Sequence, residues 1–187
     1  YLYKYPQSAF PYLDLVETNR KRTREDLEYE LIDTGIFNEN RYFDVFVEYA
    51  KSAPEDILIR ITAANRGPDA GILHLLPTVW FRNTWSWQAG GGKPVLKRTP
   101  PHHAPDRRRR TLEFDTIQAA HPELGDRFLY CEPATLLFTE NETNTADLWG
   151  ATSASQYVKD AFHRHSGAGE TGALNPARQG TKCGAWY

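Results

Sequence analysis

Apolar and polar side chains alternate along residues 42–49, and this pattern most constrains what the chain can fold into. Phe43, Val45 and Val47 fall on one side, whereas Asp44 and Glu48 fall on the other. Successive side chains of a β-strand point to opposite faces, so the alternation predicts a strand with one face toward a core.

The same period returns at 57–61 and again at 72–81, with turn residues between the segments. Strands joined by short turns pair antiparallel, which predicts a three-stranded meander. Further short strands are predicted at 29–33, 111–119, 127–131 and 135–139. Many short alternating strands favour a mostly β protein, an antiparallel two-sheet β-sandwich with a few peripheral helices.

The helices are predicted to be few. Pro11 suits the first position of a helix with Tyr12, Leu13 and Val16 on one face. A short, weak helical signal covers 145–150, whereas 155–163 has residues that can cap and form a helix. The opening aromatic run, the Gly/Pro-rich stretch 90–106, the basic run 107–110 and the last twenty residues are predicted to be irregular, with 107–110 as a solvated loop.

Length and composition limit the possible classes. The 187 residues fit one sizeable domain over 1–187, and the net charge of −2 gives no reason to expect a nucleic acid or membrane partner. Cys131 and Cys183 have no ligands at metal-binding spacing, and reduced cysteines without an export leader favour a cytoplasmic protein. Because the chain contains no Met and begins at Tyr1, we expect it to be part of a longer polypeptide.

Three of the five tryptophans lie within eight residues. Trp80, Trp85 and Trp87 are interleaved with Arg82 and Asn83. Flat indole faces with amide and guanidinium groups suit a sugar, and these five residues are the candidate substrate-binding set. An aromatic plug in the core explains the same composition, so both interpretations stand.

No catalytic residue, metal ligand or cofactor site is predicted. Asp44 and Glu48 would be about 13 Å apart on one strand, too far for a glycosidase pair. Asp33 could face Asp44 across a hairpin, but surface acids are the simpler interpretation. Ser86 lacks the glycine-flanked turn of a hydrolase nucleophile, and adjacent His102 and His103 point apart on a strand.

Several longer sequence blocks, taken together, carry a resemblance to a known family. They are YKYPQSAFPY at 3–12, ELIDTG at 30–35, RYFDV at 41–45, WFRNTW at 80–85, LFTENETN at 137–144 and NPARQGTK at 175–182. With them the chain resembles the N-terminal, non-catalytic region of bacterial glucosidase-like proteins related to glycoside hydrolase family 63, the mannosyl-oligosaccharide glucosidase group.

The resemblance implies a super-sandwich that precedes a toroid of paired α-helices, which carries the catalytic carboxylates. It therefore implies an accessory domain of an α-glucosidase-like, inverting enzyme, with an oligosaccharide substrate bound through the parent enzyme and the helical domain as intramolecular partner. No catalytic residue transfers to these 187 residues. Two alternatives remain, an autonomous carbohydrate-binding module and a purely structural packing domain.

Overall fold

The computed structural model describes residues 1–87, 92–105 and 111–187. The fold is mostly β, with antiparallel sheets and few helices, as predicted. The chain forms two compact units, Tyr1–Leu73 and His74–Tyr187, which are described separately. The prediction of a single domain over 1–187 stays a prediction.

The first unit is a three-stranded sheet with one α-helix. The strands are β1 (Leu2–Pro6), β2 (Tyr42–Ala53) and β3 (Asp56–Asn65), the helix is α1 (Tyr12–Lys21), and short 3-10 helices cover Leu31–Thr34 and Asn38–Asn40. The order is β1-β2-β3, with β2 in the centre and all pairs antiparallel. Phe43 and Val45 are buried as the alternation predicts.

Two predictions in this unit are wrong. The opening aromatic run is a strand, because its backbone pairs with β2 from Leu2 opposite Phe46 to Pro6 opposite Tyr42. The predicted strand at 29–33 instead leads into a 3-10 helix, in which the Asp33 carboxylate accepts the backbone N–H of Glu30 at 2.8 Å. Such local capping competes with strand pairing.

The second unit contains two antiparallel sheets among its described residues. The strands are β4 (Thr78–Trp80), β5 (Val95–Pro105), β6 (Thr111–His121), β7 (Gly125–Cys131), β8 (Thr135–Thr139), β9 (Gln179–Gly180) and β10 (Lys182–Trp186). The helices are α2 (Thr145–Trp149) and α3 (Ala161–Ala168), with a 3-10 turn at Thr171–Ala173. The sheet orders are β4-β10-β8 and β7-β6-β5-β9.

Both sheets of the second unit contribute to one core. Leu96 and Ile117 come from β5 and β6, and Phe138 and Cys183 come from β8 and β10. All four are at most 1% exposed. A core shared by two antiparallel sheets makes this unit the predicted β-sandwich.

The predicted meander is wrong in its third strand. Only Thr78–Trp80 of the segment 72–81 forms a strand, and it pairs with β10 rather than with β3. The residues before it run beside the chain end, where Leu75 and Tyr187 exchange two backbone hydrogen bonds of 2.9 Å. The partner strand β10 lies about a hundred residues away in sequence. A rule that pairs strands joined by short turns therefore could not identify it.

The predicted loop 90–106 is also wrong over most of its length. Val95–Pro105 is a strand, and its register with β6 shifts between Thr99 and His102. Pro100 and Pro101 occupy this irregularity, where their missing N–H groups cost the ladder little. The basic run 107–110 lies outside the described residues.

The end of the chain is more regular than expected. The last twenty residues contain β10, which is the central strand of its sheet. The helix predicted at 155–163 begins later, at Ala161.

Candidate functional site

The tryptophan-rich segment follows β4 and ends in a turn. Trp80 closes the strand, residues 81–84 are irregular, and 85–87 form the turn. The Asn83 side-chain oxygen accepts the N–H of Ser86 at 3.3 Å, and the Thr84 carbonyl accepts the N–H of Trp87 at 3.1 Å. The turn removes the alternation that would place Trp85 and Trp87 on one face of an extended strand.

The three indoles have different surroundings. Trp87 is 68% exposed and Trp80 is 55% exposed, whereas Trp85 is half-buried. The Arg82 guanidinium carbon lies 5.5 Å from the centroid of the Trp87 ring, within cation–π range. The tip of the segment therefore presents one exposed indole beside one cation.

Trp85 holds the segment to the sandwich. Its indole N–H donates to Glu142 Oε1 at 3.0 Å, and Lys93 Nζ donates to the same oxygen at 3.0 Å. Lys93 Nζ also lies 3.1 Å from Glu140 Oε2 and 5.7 Å from the Trp85 ring centroid. We call Trp85, Lys93, Glu140 and Glu142 the anchor cluster.

The residues around the anchor cluster bind the start of the tryptophan segment. Thr181 Oγ1 donates to Glu140 Oε2 at 2.7 Å, and its backbone carbonyl accepts the N–H of Phe81 at 3.0 Å. The Asn141 side-chain amide donates to the Phe81 carbonyl at 2.9 Å. Residues 140–142, which directly follow β8, therefore contact the segment at Phe81 and at Trp85.

Within the anchor cluster, the opposite charges of Glu142 and Lys93 favour the ionised form of each other. Burial acts to raise the pKa of Glu142, but the Trp85 N–H and the Lys93 ammonium outweigh it, and the pKa lies below its ordinary value. Burial likewise acts to lower the pKa of Lys93, and its bonds to Glu142 and Glu140 raise it instead. A general acid at neutral pH needs a raised carboxyl pKa, so Glu142 fits an anchoring role rather than proton donation.

Sequence reasoning missed Glu140 and Glu142. They lie in the block 137–144 but carry no local catalytic or binding spacing. The signal that could have indicated them is a pair of acidic residues directly after an apolar strand, because such residues lie where the strand leaves the sheet.

Two of the three acids weighed in the sequence, Asp44 and Glu48, form ion pairs within the first unit, whereas Asp33 caps a 3-10 helix. The Asp44 carboxylate accepts hydrogen bonds from Lys4 Nζ at 2.8 Å and from Arg66 Nε at 2.7 Å. These two bonds lower the pKa of Asp44. Glu48 forms a two-bond pair with Arg60 at 2.9 and 3.0 Å. These ion pairs give both carboxylates a structural role in the first unit.

The described part of the chain contains neither a metal-binding cluster nor a membrane-spanning helix. Residues 1–87, 92–105 and 111–187 contain no cluster of three or more His, Cys, Asp or Glu arranged to hold a metal ion. Their helices are all too short or too polar to cross a bilayer.

The chain is similar to a longer yeast protein. The chain is 34% identical over 221 aligned positions to "Uncharacterized protein YMR196W" of Saccharomyces cerevisiae, with all of this chain aligned. The chain spans 19% of the length of that protein. No family model and no solved structure matches the chain.

Proposed function

We propose that this chain is an accessory, non-catalytic β-sandwich segment of a glycoside hydrolase related to family 63, α-glucosidase-like and inverting. In this proposal Trp80, Arg82, Asn83, Trp85 and Trp87 form part of the wall that holds an oligosaccharide. The observation that carries it is the exposed Trp87–Arg82 pair on a turn whose base is held by the Trp85–Glu142 hydrogen bond.

The chemistry of the pair suits a sugar. An indole face packs against the C–H groups of a pyranose, and a guanidinium donates to hydroxyl groups. A turn already held by hydrogen bonds loses little conformational entropy on binding, which lowers the free-energy cost of binding a weak polar ligand such as a sugar. Trp85 contributes as the anchor of the turn, because its N–H is already bonded to Glu142.

The proposed partner is a helical catalytic domain in the same polypeptide. The yeast relative supports a longer parent, since this chain spans 19% of it. A cytoplasmic location is part of the proposal, supported by the unpaired thiols of Cys131 and Cys183 in the sandwich core.

Hydrolysis of p-nitrophenyl α-glucoside and maltotriose tests the accessory role. We expect no turnover by the 187-residue chain. We expect turnover by the yeast relative, and a loss of about tenfold or more when its matched segment is deleted. Turnover by the isolated chain, or full activity after the deletion, contradicts the proposal.

The second candidate function is an autonomous carbohydrate-binding module. The exposure of Trp87, at 68%, favours it, because a module needs a free aromatic platform. Calorimetry with maltotriose should then give saturable binding that Trp87→Ala abolishes. Trp149→Ala is the matched control, since Trp149 is 70% exposed on α2, outside the segment.

A further inference from the structure

A basic pocket in the second unit lies apart from the residues assigned to sugar binding. It has a volume of about 500 Å³ and lies between the first half of β5 and the turn that enters β9. Its basic lining residues are Lys97, Arg98 and Arg178. This volume is within the usual range of small-ligand sites, about 300–1,000 Å³.

The charge of the pocket differs from that of the chain. The chain carries a net charge of −2, whereas no Asp or Glu is among the described residues that line the pocket. Arg98 pairs with Asp115 at 2.7 Å. Lys97 and Arg178 have no ion-pair partner within 1–87, 92–105 and 111–187, so two positive charges remain without counter-charges.

The backbone places Arg178 at the pocket in a conformation that is unusual for its residue type. Its φ is +52°, in the left-handed region that favours glycine. Its N–H donates to the Asn175 carbonyl at 3.2 Å, and its own carbonyl accepts the N–H of Arg98 at 3.2 Å. A strained residue persists where its surroundings determine it, and such residues concentrate at binding sites.

The turn that carries Arg178 is held by one side chain. The Asn175 side-chain oxygen accepts the backbone N–H of Ala177 at 3.0 Å, and the Asn175 side-chain amide donates to the Gln179 backbone carbonyl at 2.8 Å. These two bonds hold the start of the NPARQGTK block at 175–182 in a defined turn. The backbone from which the Arg178 side chain extends is therefore set before any ligand arrives.

We propose that this pocket binds the anionic group of a small ligand, a phosphate or a carboxylate, through Lys97 and Arg178. Arginine and lysine donate strong charge-assisted hydrogen bonds to both groups. Pro100 and Pro101 supply an apolar wall for the rest of the ligand, and the Gln179 amide is a further polar lining group. The proposal uses none of the residues of the sugar-binding proposal and does not depend on it.

Calorimetric titration of the 187-residue chain at constant ionic strength tests the site. The probes are inorganic phosphate, glucose 6-phosphate and glucuronate, with glucose as the neutral control. We expect saturable binding of at least one anionic probe at concentrations up to about 10 mM, and weaker or no binding of glucose. Glucose 6-phosphate alone would indicate a phosphate ligand, and glucuronate alone a carboxylate.

Three substitutions separate the site from general charge attraction. Lys97→Gln and Arg178→Gly should each weaken binding about tenfold, and glycine keeps the left-handed backbone at 178. Lys51→Gln removes an exposed positive charge on β2 in the first unit and should leave binding unchanged. Circular dichroism confirms folding, and Lys97→Gln, at an exposed position, decides the test if Arg178→Gly unfolds.

Two results would overturn the proposal. One is that the anionic probes show no preference, because they either fail to bind at about 10 mM or bind no more tightly than glucose does. The other is that Lys51→Gln weakens binding as much as Lys97→Gln does, because the attraction would then come from the overall field of the protein.

Discussion

The indole N–H of Trp85 donates to the carboxylate of Glu142 at 3.0 Å, across 57 positions of the chain. Glu142 is 8% exposed, and the same oxygen accepts Lys93. One buried carboxylate oxygen therefore joins the tryptophan segment to the segment before β5. Removing its charge affects both contacts at once.

Glu142→Gln should lower the stability of the folded protein by about 1 kcal/mol, because a neutral amide oxygen accepts these bonds less strongly than a carboxylate. The midpoint of thermal unfolding at neutral pH measures this. An unchanged midpoint would contradict the anchoring role of Glu142.

The same variant should alter the pH dependence of stability. The pKa of Glu142 in the folded protein lies below its ordinary value of 4.5, so its charge stabilises the fold above about pH 4.5. This contribution is lost as the pH falls from there through the lower, folded-state pKa. Unfolding midpoints between about pH 3 and pH 7 should converge for wild type and Glu142→Gln at the acid end.

The two indoles of the turn should respond differently to substitution. Trp85→Phe removes a hydrogen bond to a buried carboxylate and should cost about 1–3 kcal/mol. Trp87→Ala removes an exposed ring and should change the free energy of unfolding by less than about 0.5 kcal/mol. Urea titration measures both, and an equal effect of the two substitutions would contradict the assigned roles.

Gly180→Ala should destabilise the sandwich severely. A Cβ atom at this position would lie 2.2 Å from the backbone oxygen of Thr139, which cannot rotate away. We expect a loss of more than about 3 kcal/mol, or failure to fold. Gly167→Ala is the control, because open space surrounds that position in α3 and alanine favours helices by up to about 1 kcal/mol.

The two units should differ in independent stability. Phe43, Asp44 and Val45 are the buried side chains of the first unit, whereas the second contains the shared two-sheet core. We expect 74–187 alone to unfold cooperatively and 1–73 alone to show no cooperative transition, because small cores rarely offset chain entropy. Circular dichroism on heating measures both fragments, and cooperative unfolding of 1–73 would contradict this expectation.

The strand alternation was predictable where one face of a strand packs on a core. The segments 42–49 and 135–139 lie within β2 and β8, whose buried side chains produce the apolar pattern. The alternating isoleucines of 57–61 lie within β3, although Ile57 and Ile59 are exposed. The strand β1 is almost entirely exposed, so pairing with β2 alone determines it. Such backbone pairing leaves no mark in the side-chain pattern.

The candidate site was predictable in composition but not in arrangement. Trp85 and Trp87 were found because tryptophans are few, yet their separate roles follow from a turn and from a partner 57 residues away. The partner of a buried N–H is set by the fold as a whole. Local spacing therefore could not select Glu142.

The proline pair of β5 has a consequence for association. Beyond Arg98, the described residues place no second backbone neighbour beside β5, since β9 pairs only at Leu96 and Lys97 and Arg178 bonds only to the N–H of Arg98. Pro100 and Pro101 have no N–H to offer along this stretch, so an incoming strand from another molecule cannot form a regular ladder there. The prolines at this irregularity therefore also prevent intermolecular strand pairing along this part of the sheet.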